Sequence, residues 1–169
     1  MTDAPRLIVV ADAGPLIHLD ELGALELLAD FEQVLVAETV WNEVEKHRAR
    51  ALATNAIRWR RCHAAVNIRV DALLALYGLH QGEREALSLC LDAPEALLLT
   101  DDAAARLAAG SLGIQAHGTL GILVRAIRRR QRDKQQVLNL LKQIPERSSL
   151  HIRAELLANI VRQVADEAD

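Results

Sequence analysis

Six carboxylates in this sequence stand in positions suited to metal chemistry: Asp12, Glu43, Glu83, Glu85, Asp101 and Asp102. Hard divalent cations prefer oxygen ligands, and Mg²⁺ usually takes one or two carboxylates and keeps several waters. A group of carboxylates around Mg²⁺ or Mn²⁺, without His or Cys, is typical of phosphodiester hydrolysis. The metal lowers the pKa of a bound water and stabilises charge on the phosphate. The residue types therefore predict a metal-dependent nuclease.

Each of these acids also has an ordinary structural interpretation. An Asp that follows a strand is a good cap for the next helix, and this applies to Asp12 and Asp102. Glu43 could pair with Lys46 or His47, three and four residues further along the same helix. Carboxylates that converge without a cation raise one another's pKa, which costs stability. Several acids at one edge of a sheet therefore favour a metal site over separate caps.

Two choices within this set stay open at the level of sequence. Glu83 and Glu85 are about 200° apart around a helix, so they cannot both face one site. Glu83 interacts favourably with the helix N-terminus, whereas Glu85 precedes the apolar pair 86–87 and lies nearer the buried side. The pair Asp101 and Asp102 leaves the same question, namely which of the two ligates the metal.

Apolar strands that alternate with helices position these acids. Apolar runs at 7–11 and 96–99 predict buried strands, and residues 34–37 and 114–117 predict two further strands. Residues 58–60 predict a piece of extended chain after a helix that ends near residue 55. The alternation predicts an α/β fold with a parallel sheet and helices on both faces. Sites in such sheets form at the carboxyl ends of strands, which is where Asp12 and the pair 101–102 fall.

The C-terminal part of the chain predicts a helical hairpin. Its two helices cover residues 133–143 and 151–165, separated by Ile144 and Pro145. We expect residues 1–130 to form the α/β domain and residues 131–169 to be an appendage packed on it. The hairpin and the Ala- and Leu-rich helices lead us to expect a homodimer.

Charge and composition narrow the function. The formal net charge of −3 is not that of a typical nucleic-acid-binding protein, but arginines cluster locally, as at Arg125, Arg128 and Arg129. Such a cluster is suited to phosphate groups, while the acids bind a cation elsewhere. Only four residues are aromatic, so stacking platforms for bases are scarce.

The sequence favours the cytoplasm. The apolar run 7–11 is too short for a signal peptide or a membrane span, so we expect no membrane association. Cys62 and Cys90 are isolated, which argues against a disulfide framework and a zinc site. A receiver domain or an Asp-x-Asp phosphatase would need a second acid close to Asp12, where Gly14 stands instead.

Five segments in order resemble a known family. They are 9–17, 40–44, 82–87, 99–102 together with Arg106, and 118–123. In this order they are similar to PIN-domain proteins, and specifically to the DUF3368 subgroup of VapC-like toxin nucleases. The resemblance spans nearly the whole chain, including the region of Ile144, Pro145 and 150–152.

The resemblance implies a three-layer α/β/α sandwich with four or five parallel strands. It also implies a Mg²⁺- or Mn²⁺-dependent ribonuclease, often the toxin of a type II toxin–antitoxin pair, with RNA and a cognate antitoxin as partners. By this resemblance the catalytic residues are Asp12, Glu43, Glu85 and Asp102, with Glu83 and Asp101 as the alternatives at the third and fourth positions. The residues expected to bind RNA are Arg106, Arg125, Arg128 and Arg129. The main alternative is a PIN-fold module that binds RNA or a protein without cutting.

Overall fold

The computed structural model describes residues 7–65 and 67–167, and it contains a parallel sheet. Its strands are β1 (Ile8–Ala11), β2 (Gln33–Ala37), β3 (Trp59–Cys62), β4 (Leu97–Leu99) and β5 (Ala116–His117). They lie in the order β3-β2-β1-β4-β5, and every pairing between neighbours is parallel. The prediction of a parallel α/β sheet is therefore confirmed.

Helices cover both faces of this sheet, which gives the three-layer α/β/α arrangement. The α-helices are α1 (Ala13–Glu21), α2 (Glu38–Arg48), α3 (Ile68–Tyr77), α4 (Gln81–Asp92), α5 (Ala103–Ser111), α6 (Thr119–Arg128), α7 (Lys134–Arg147) and α8 (Ala154–Asp166), and two 3₁₀ segments span Leu25–Asp30 and Ala49–Ala53. None of the helices within the described ranges has the length and apolarity needed to cross a membrane.

β1 is the central strand, and it aligns the ends of its neighbours. Its residues Val9, Val10 and Ala11 are completely buried, as expected for a strand covered on both faces. Ala11 is in register with Leu99 of β4, and the backbone N–H of Asp12 donates to the Leu99 carbonyl at 2.8 Å. The residues that follow β1 and β4 therefore emerge side by side.

The segment that precedes the third helix differs from the prediction. The expected helix is reduced to the 3₁₀ turn Ala49–Ala53, and the extended chain becomes the edge strand β3. Arg60 and Arg61 in β3 are exposed, and Trp59 donates its indole N–H to the Thr54 carbonyl at 3.2 Å. A strand with two exposed arginines lacks the continuous apolar run of a central strand, so its sequence signal is weak.

The C-terminal hairpin is present, but its first helix is longer than predicted. The helix α7 continues through Pro145 to Arg147, whereas the sequence predicted a break at Ile144 and Pro145. A proline in the last turn of a helix removes a single N–H donor. Ile144 is fully buried, as is Leu141, so packing against α6 holds this final turn in place.

Asp30, the last residue of the 3₁₀ segment Leu25–Asp30, binds two arginines at the C-terminal end of α6. Arg125 binds its carboxylate at 2.6 Å, Arg129 donates two hydrogen bonds to it at 2.8 and 3.0 Å, and the Arg125 guanidinium lies 4.4 Å from the centre of the Phe31 ring. The hydrogen bonds from Arg129, helped by those from Arg125, lower the pKa of Asp30 although burial opposes them. This cluster fixes α6 on the Leu25–Asp30 segment.

We predict that Asp30→Asn destabilises the fold by about 1–3 kcal/mol at pH 7, because it leaves two arginines without their carboxylate. The pKa of Asp30 is lowered in the folded state, so its contribution is present above the ordinary Asp pKa of about 3.9 and is lost as the pH falls through the lowered value. Urea unfolding of wild type and variant should therefore differ at pH 7, and the difference should shrink as the pH falls below about 4. Glu155→Gln, at an exposed acid of α8, is the control and should show little difference at either pH. If the difference in free energy of unfolding between wild type and Asp30→Asn stayed constant down to pH 2, the Asp30 carboxylate would not have this stabilising role.

Candidate active site

A pocket of about 300 Å³ lies at the carboxyl ends of β1 and β4. Its lining includes the acids Asp12, Glu43, Glu83, Asp101 and Asp102, together with His18 and His80. These acids come from four different places in the chain, and the ends of the two strands and the starts of α1, α4 and α5 bring most of them together. The structure therefore collects five of the six candidate carboxylates in one pocket.

Asp12 is both a helix cap and a wall of this pocket. Its side chain is only 7 % exposed. One carboxylate oxygen accepts the Ala13 N–H at 2.9 Å, which caps α1, and the other accepts the Thr100 hydroxyl at 3.1 Å. Burial raises the pKa of Asp12, and the charge of Glu43 raises it further, although its two hydrogen bonds oppose the shift. The capping and site interpretations are thus compatible for this residue.

Glu83 is the most buried acid of the pocket, with 3 % exposure. One of its carboxylate oxygens accepts the backbone N–H of His80 at 3.0 Å, which closes the N-terminus of α4, and the other lies 2.9 Å from the imidazole of His80. Burial raises the pKa of Glu83, and the nearby charges of Asp102 and Asp12 add to that shift. Three of the pocket's carboxylates are therefore electrostatically coupled.

Gly82 allows Glu43 to approach this group. A Cβ at Gly82 would lie 3.3 Å from a methyl group of Val40 on α2, so a side chain there would press α2 and α4 apart. The same Cβ position is 4.0 Å from a carboxylate oxygen of Glu43. The short contact between the helices thus brings exposed Glu43 beside the start of α4.

Asp101 and Asp102 have different roles, although both line the pocket. The Asp101 carboxylate accepts the N–H and hydroxyl of Thr119 at 2.7 and 2.6 Å and also lies 2.7 Å from Nδ1 of His18. Burial raises the pKa of Asp101, but these hydrogen bonds outweigh burial and the net pKa is lowered. A Cβ at Gly118 would lie 2.5 Å from the Asp101 carboxylate, so only glycine fits there. Asp101 therefore anchors the start of α6 to the end of β4.

The Asp102 carboxylate has fewer hydrogen-bond partners than that of Asp101. It caps α5 by accepting the Ala105 N–H at 2.8 Å through Oδ1. Its own backbone N–H donates to the Thr100 hydroxyl at 3.2 Å, the same hydroxyl that donates to Asp12. Thr100 thus links the two strand ends, and Asp102 presents an exposed, oriented carboxylate to the pocket.

Glu85, in contrast, does not line this pocket. Its carboxylate accepts the backbone N–H and hydroxyl of Thr39 at 3.1 and 2.7 Å, and the side chain of Gln81 at 2.7 Å. Burial raises the pKa of Glu85, but the hydrogen bonds from Gln81 and Thr39 outweigh burial and lower it. Because Glu85 is turned away from Glu83 on the helix, it binds the first turn of α2 instead.

The four candidate arginines are placed differently. Arg106 donates to the carbonyl of Thr100 at 3.1 Å, and Thr100 is the residue that precedes Asp101 and Asp102. Arg125 and Arg129 are bound to Asp30, as described above, so their charge is partly neutralised there. Arg128 is exposed on the same helix. Its charge, with those of Arg106 and Arg125, adds to burial in lowering the pKa of His117.

Several residues of the site were missed by sequence reasoning. His18 and His80 line the pocket, and so does the connection between α7 and α8 through Ser149, Leu150 and His151. The position of His80 just before the helix that begins at Gln81 is a usable signal, because it is the capping position. The connection at 149–151 lies more than a hundred residues from Asp12, and no spacing rule could have placed it there.

The acids converge without forming a finished coordination shell. Within residues 7–65 and 67–167, no group of three or more His, Cys, Asp or Glu side chains is arranged to hold a metal ion as it stands. The donor chemistry nevertheless fits a hard cation, since the coupled carboxylates supply only oxygen and destabilise one another without a positive charge. Mg²⁺ keeps most of its waters, so one or two direct carboxylates are enough.

We predict that Asp12→Asn raises the melting temperature in EDTA by about 2–4 °C, the shift expected for about 1 kcal/mol in a domain of this size. The pKa of Asp12 is raised in the folded state, so the charged carboxylate is unfavourable at neutral pH, and asparagine removes that charge but still caps α1. Thermal unfolding with Mn²⁺ should stabilise the wild type and leave the variant almost unchanged. Asp133→Asn, at the N-cap of α7, is the matched control and should respond to Mn²⁺ as the wild type does. A lower melting temperature for Asp12→Asn in EDTA, together with continued stabilisation by Mn²⁺, would contradict this role of Asp12.

Comparison with known proteins supports one family. A family model described as a PIN domain (DUF3368) matches residues 8–166, a range that includes the eight helices and five strands named above. No curated protein gives a significant match. PIN domains are in general nucleases and typically use divalent metal ions. The family model covers most of the chain, so this protein belongs to the PIN-domain family.

Proposed function

We propose that this protein is a Mg²⁺- or Mn²⁺-dependent endoribonuclease whose site residues are Asp12, Glu43, Glu83 and Asp102. The observation that carries the proposal is the convergence of these four carboxylates in one pocket, where the pKa of Asp12 and of Glu83 is raised. Maintaining buried acids together costs stability, and a bound cation would offset that cost.

The geometry of the pocket favours Glu83 over Glu85, and Asp102 over Asp101. Glu83 faces the other acids, whereas the Glu85 carboxylate is occupied by Thr39 and Gln81. Asp101 accepts two hydrogen bonds from Thr119, lies against His18 and has a lowered pKa, so that residue positions α6 and the wall of the pocket. Asp102 is held through a single oxygen.

A divalent cation in this pocket would supply a water of lowered pKa and would stabilise charge on the scissile phosphate. The chain's own residues orient the carboxylates for that task. Thr100 and the Ala13 N–H fix Asp12, the His80 backbone fixes Glu83, and the Ala105 N–H fixes Asp102. Such supporting hydrogen bonds set ligand orientation in metal sites. Exposed Glu43 has the freedom to accept a hydrogen bond from the attacking water.

We predict that Asp12→Asn, Glu83→Gln and Asp102→Asn each lower the cleavage rate of a fluorescent RNA in Mn²⁺ by about 100-fold or more, because each removes a metal-binding charge. EDTA should abolish cleavage by the wild type. Glu85→Gln is the matched control, since it makes the same change two residues along the same helix and outside the pocket. It should retain activity within about tenfold, because glutamine keeps an oxygen that can accept the hydrogen bond from Thr39 at the first turn of α2.

The reverse pattern, with Glu85→Gln inactive and Glu83→Gln active, would overturn the assignment of the third acid. A wild-type protein that binds RNA in Mn²⁺ but cuts none of a varied set would favour a binding module instead. The incomplete coordination shell among the described residues is the observation on the side of that alternative. Thermal stabilisation by Mn²⁺ would then separate a metal-binding module from one that binds no metal.

A further inference from the structure

A second, larger groove of about 710 Å³ adjoins the carboxylate pocket. It lies between α5, the start of α6, the connection between α7 and α8, and α8 itself. Asp101, Leu150 and His151 line both the groove and the pocket, so the two spaces share a wall. Its volume is within the range of sites that bind small organic groups.

The floor of the groove is apolar and partly exposed. It is formed by Leu107, Leu120, Ile152, Leu156 and Ile160. Only four large hydrophobic side chains are strongly exposed within residues 7–65 and 67–167, and two of them, Leu107 and Leu156, line this groove. Apolar surface gathered in one concave place is a mark of binding sites.

Two arginine side chains lie beside this floor. Arg106 and Arg153 line the groove, together with His117 and His151. Arg106 is oriented by its hydrogen bond to the Thr100 carbonyl, at the end of β4. Arg128, exposed on α6, contributes further positive potential at His117. The groove therefore carries positive charge, and the neighbouring pocket carries negative charge. This arrangement suits a phosphate in the groove and a cation in the pocket.

The connection between α7 and α8 is held firmly in position. The Glu21 carboxylate at the end of α1 accepts the hydroxyl of Ser148 at 3.1 Å, and the N–H and hydroxyl of Ser149 at 2.7 and 3.0 Å. These hydrogen bonds fix the residues that lead into Leu150 and His151. Hydrogen bonds to α1 thus hold the wall that groove and pocket share, and the residues of this wall include part of the C-terminal hairpin.

We propose that this groove binds a nucleoside of single-stranded RNA next to the scissile phosphate. The base lies against Leu107 and Leu156, and the phosphate attached to it is bound by Arg106 and Arg153. An apolar floor with adjacent cations matches one nucleotide, and the shared wall places that nucleotide beside the carboxylates. The inference rests on the proposed ribonuclease function and extends it to the residues that receive a base and its phosphate. A base inside a duplex could not enter this groove.

RNA binding is best tested without cleavage, in the Asp12→Asn protein, with a fluorescein-labelled single-stranded 12-mer followed by anisotropy. Leu156→Gln and Leu107→Gln should each raise the Kd about tenfold, since the apolar contact between the leucine and the base is lost. Arg153→Ala should also raise the Kd about tenfold, and it should reduce the slope of log K against log salt by about 0.7, the value for one phosphate contact on a single strand. The leucine variants should leave that slope unchanged.

Two controls match these variants. Leu76→Gln changes an exposed leucine of α3, outside the groove, and Arg162→Ala changes an exposed arginine of α8, also outside it. Both should keep the Kd within about twofold. The leucines are exposed, so their replacement is compatible with folding, and circular dichroism of each variant verifies it.

The outcomes separate this inference from the proposed function. Unchanged Kd values in all three groove variants overturn the nucleoside site, and the groove is then better suited to a protein partner with an acidic, amphipathic segment. Weakened binding in those variants supports the site even if the wild type cuts no RNA, because the measurement uses an inactive protein. Equal Kd values for the single strand and its duplex would likewise overturn the inference.

Discussion

The parallel pairing of β1 with β4 is the constraint on which the rest of this molecule depends. The register of Ala11 with Leu99 places Asp12 and Thr100 next to each other, and the Thr100 hydroxyl then binds Asp12 while accepting the N–H of Asp102. A shift of one residue would turn the side chains of β4 to the opposite face and separate these groups. The complete burial of Val9 and Val10 makes such a shift costly, so core packing determines the site geometry.

Electrostatics then divides the acids into two kinds. Asp101 and Glu85 accept several hydrogen bonds, their pKa is lowered, and each holds the start of a helix, α6 and α2 respectively. Asp12 and Glu83 are more deeply buried, and their pKa is raised because hydrogen bonds do not compensate for lost hydration. The first kind stabilises the fold, whereas a positive charge beside the second kind would offset its lost hydration. Groups with strongly shifted pKa values in a cleft mark functional sites for this reason.

The C-terminal hairpin completes this arrangement instead of merely covering the core. Leu141 and Ile144 are buried against the domain, and Glu21 holds Ser149 at the mouth of the pocket. The proposed nucleoside groove exists only because this connection forms one of its walls. The pocket therefore takes residues both from the α/β domain and from the C-terminal hairpin, although the two are separate in sequence.

The sequence by itself determined the parallel sheet and its central strands, because buried parallel strands need continuous apolar runs such as 8–11 and 97–99. It also determined that Asp12 and the pair 101–102 end up at one edge, since parallel strands point the same way. Only the tertiary structure placed Glu83, and not Glu85, in the lining of the pocket. That placement depends on how α4 packs against α2, where the Glu85 carboxylate binds Thr39. The wall at Ser149 depends equally on long-range packing, which local spacing does not encode.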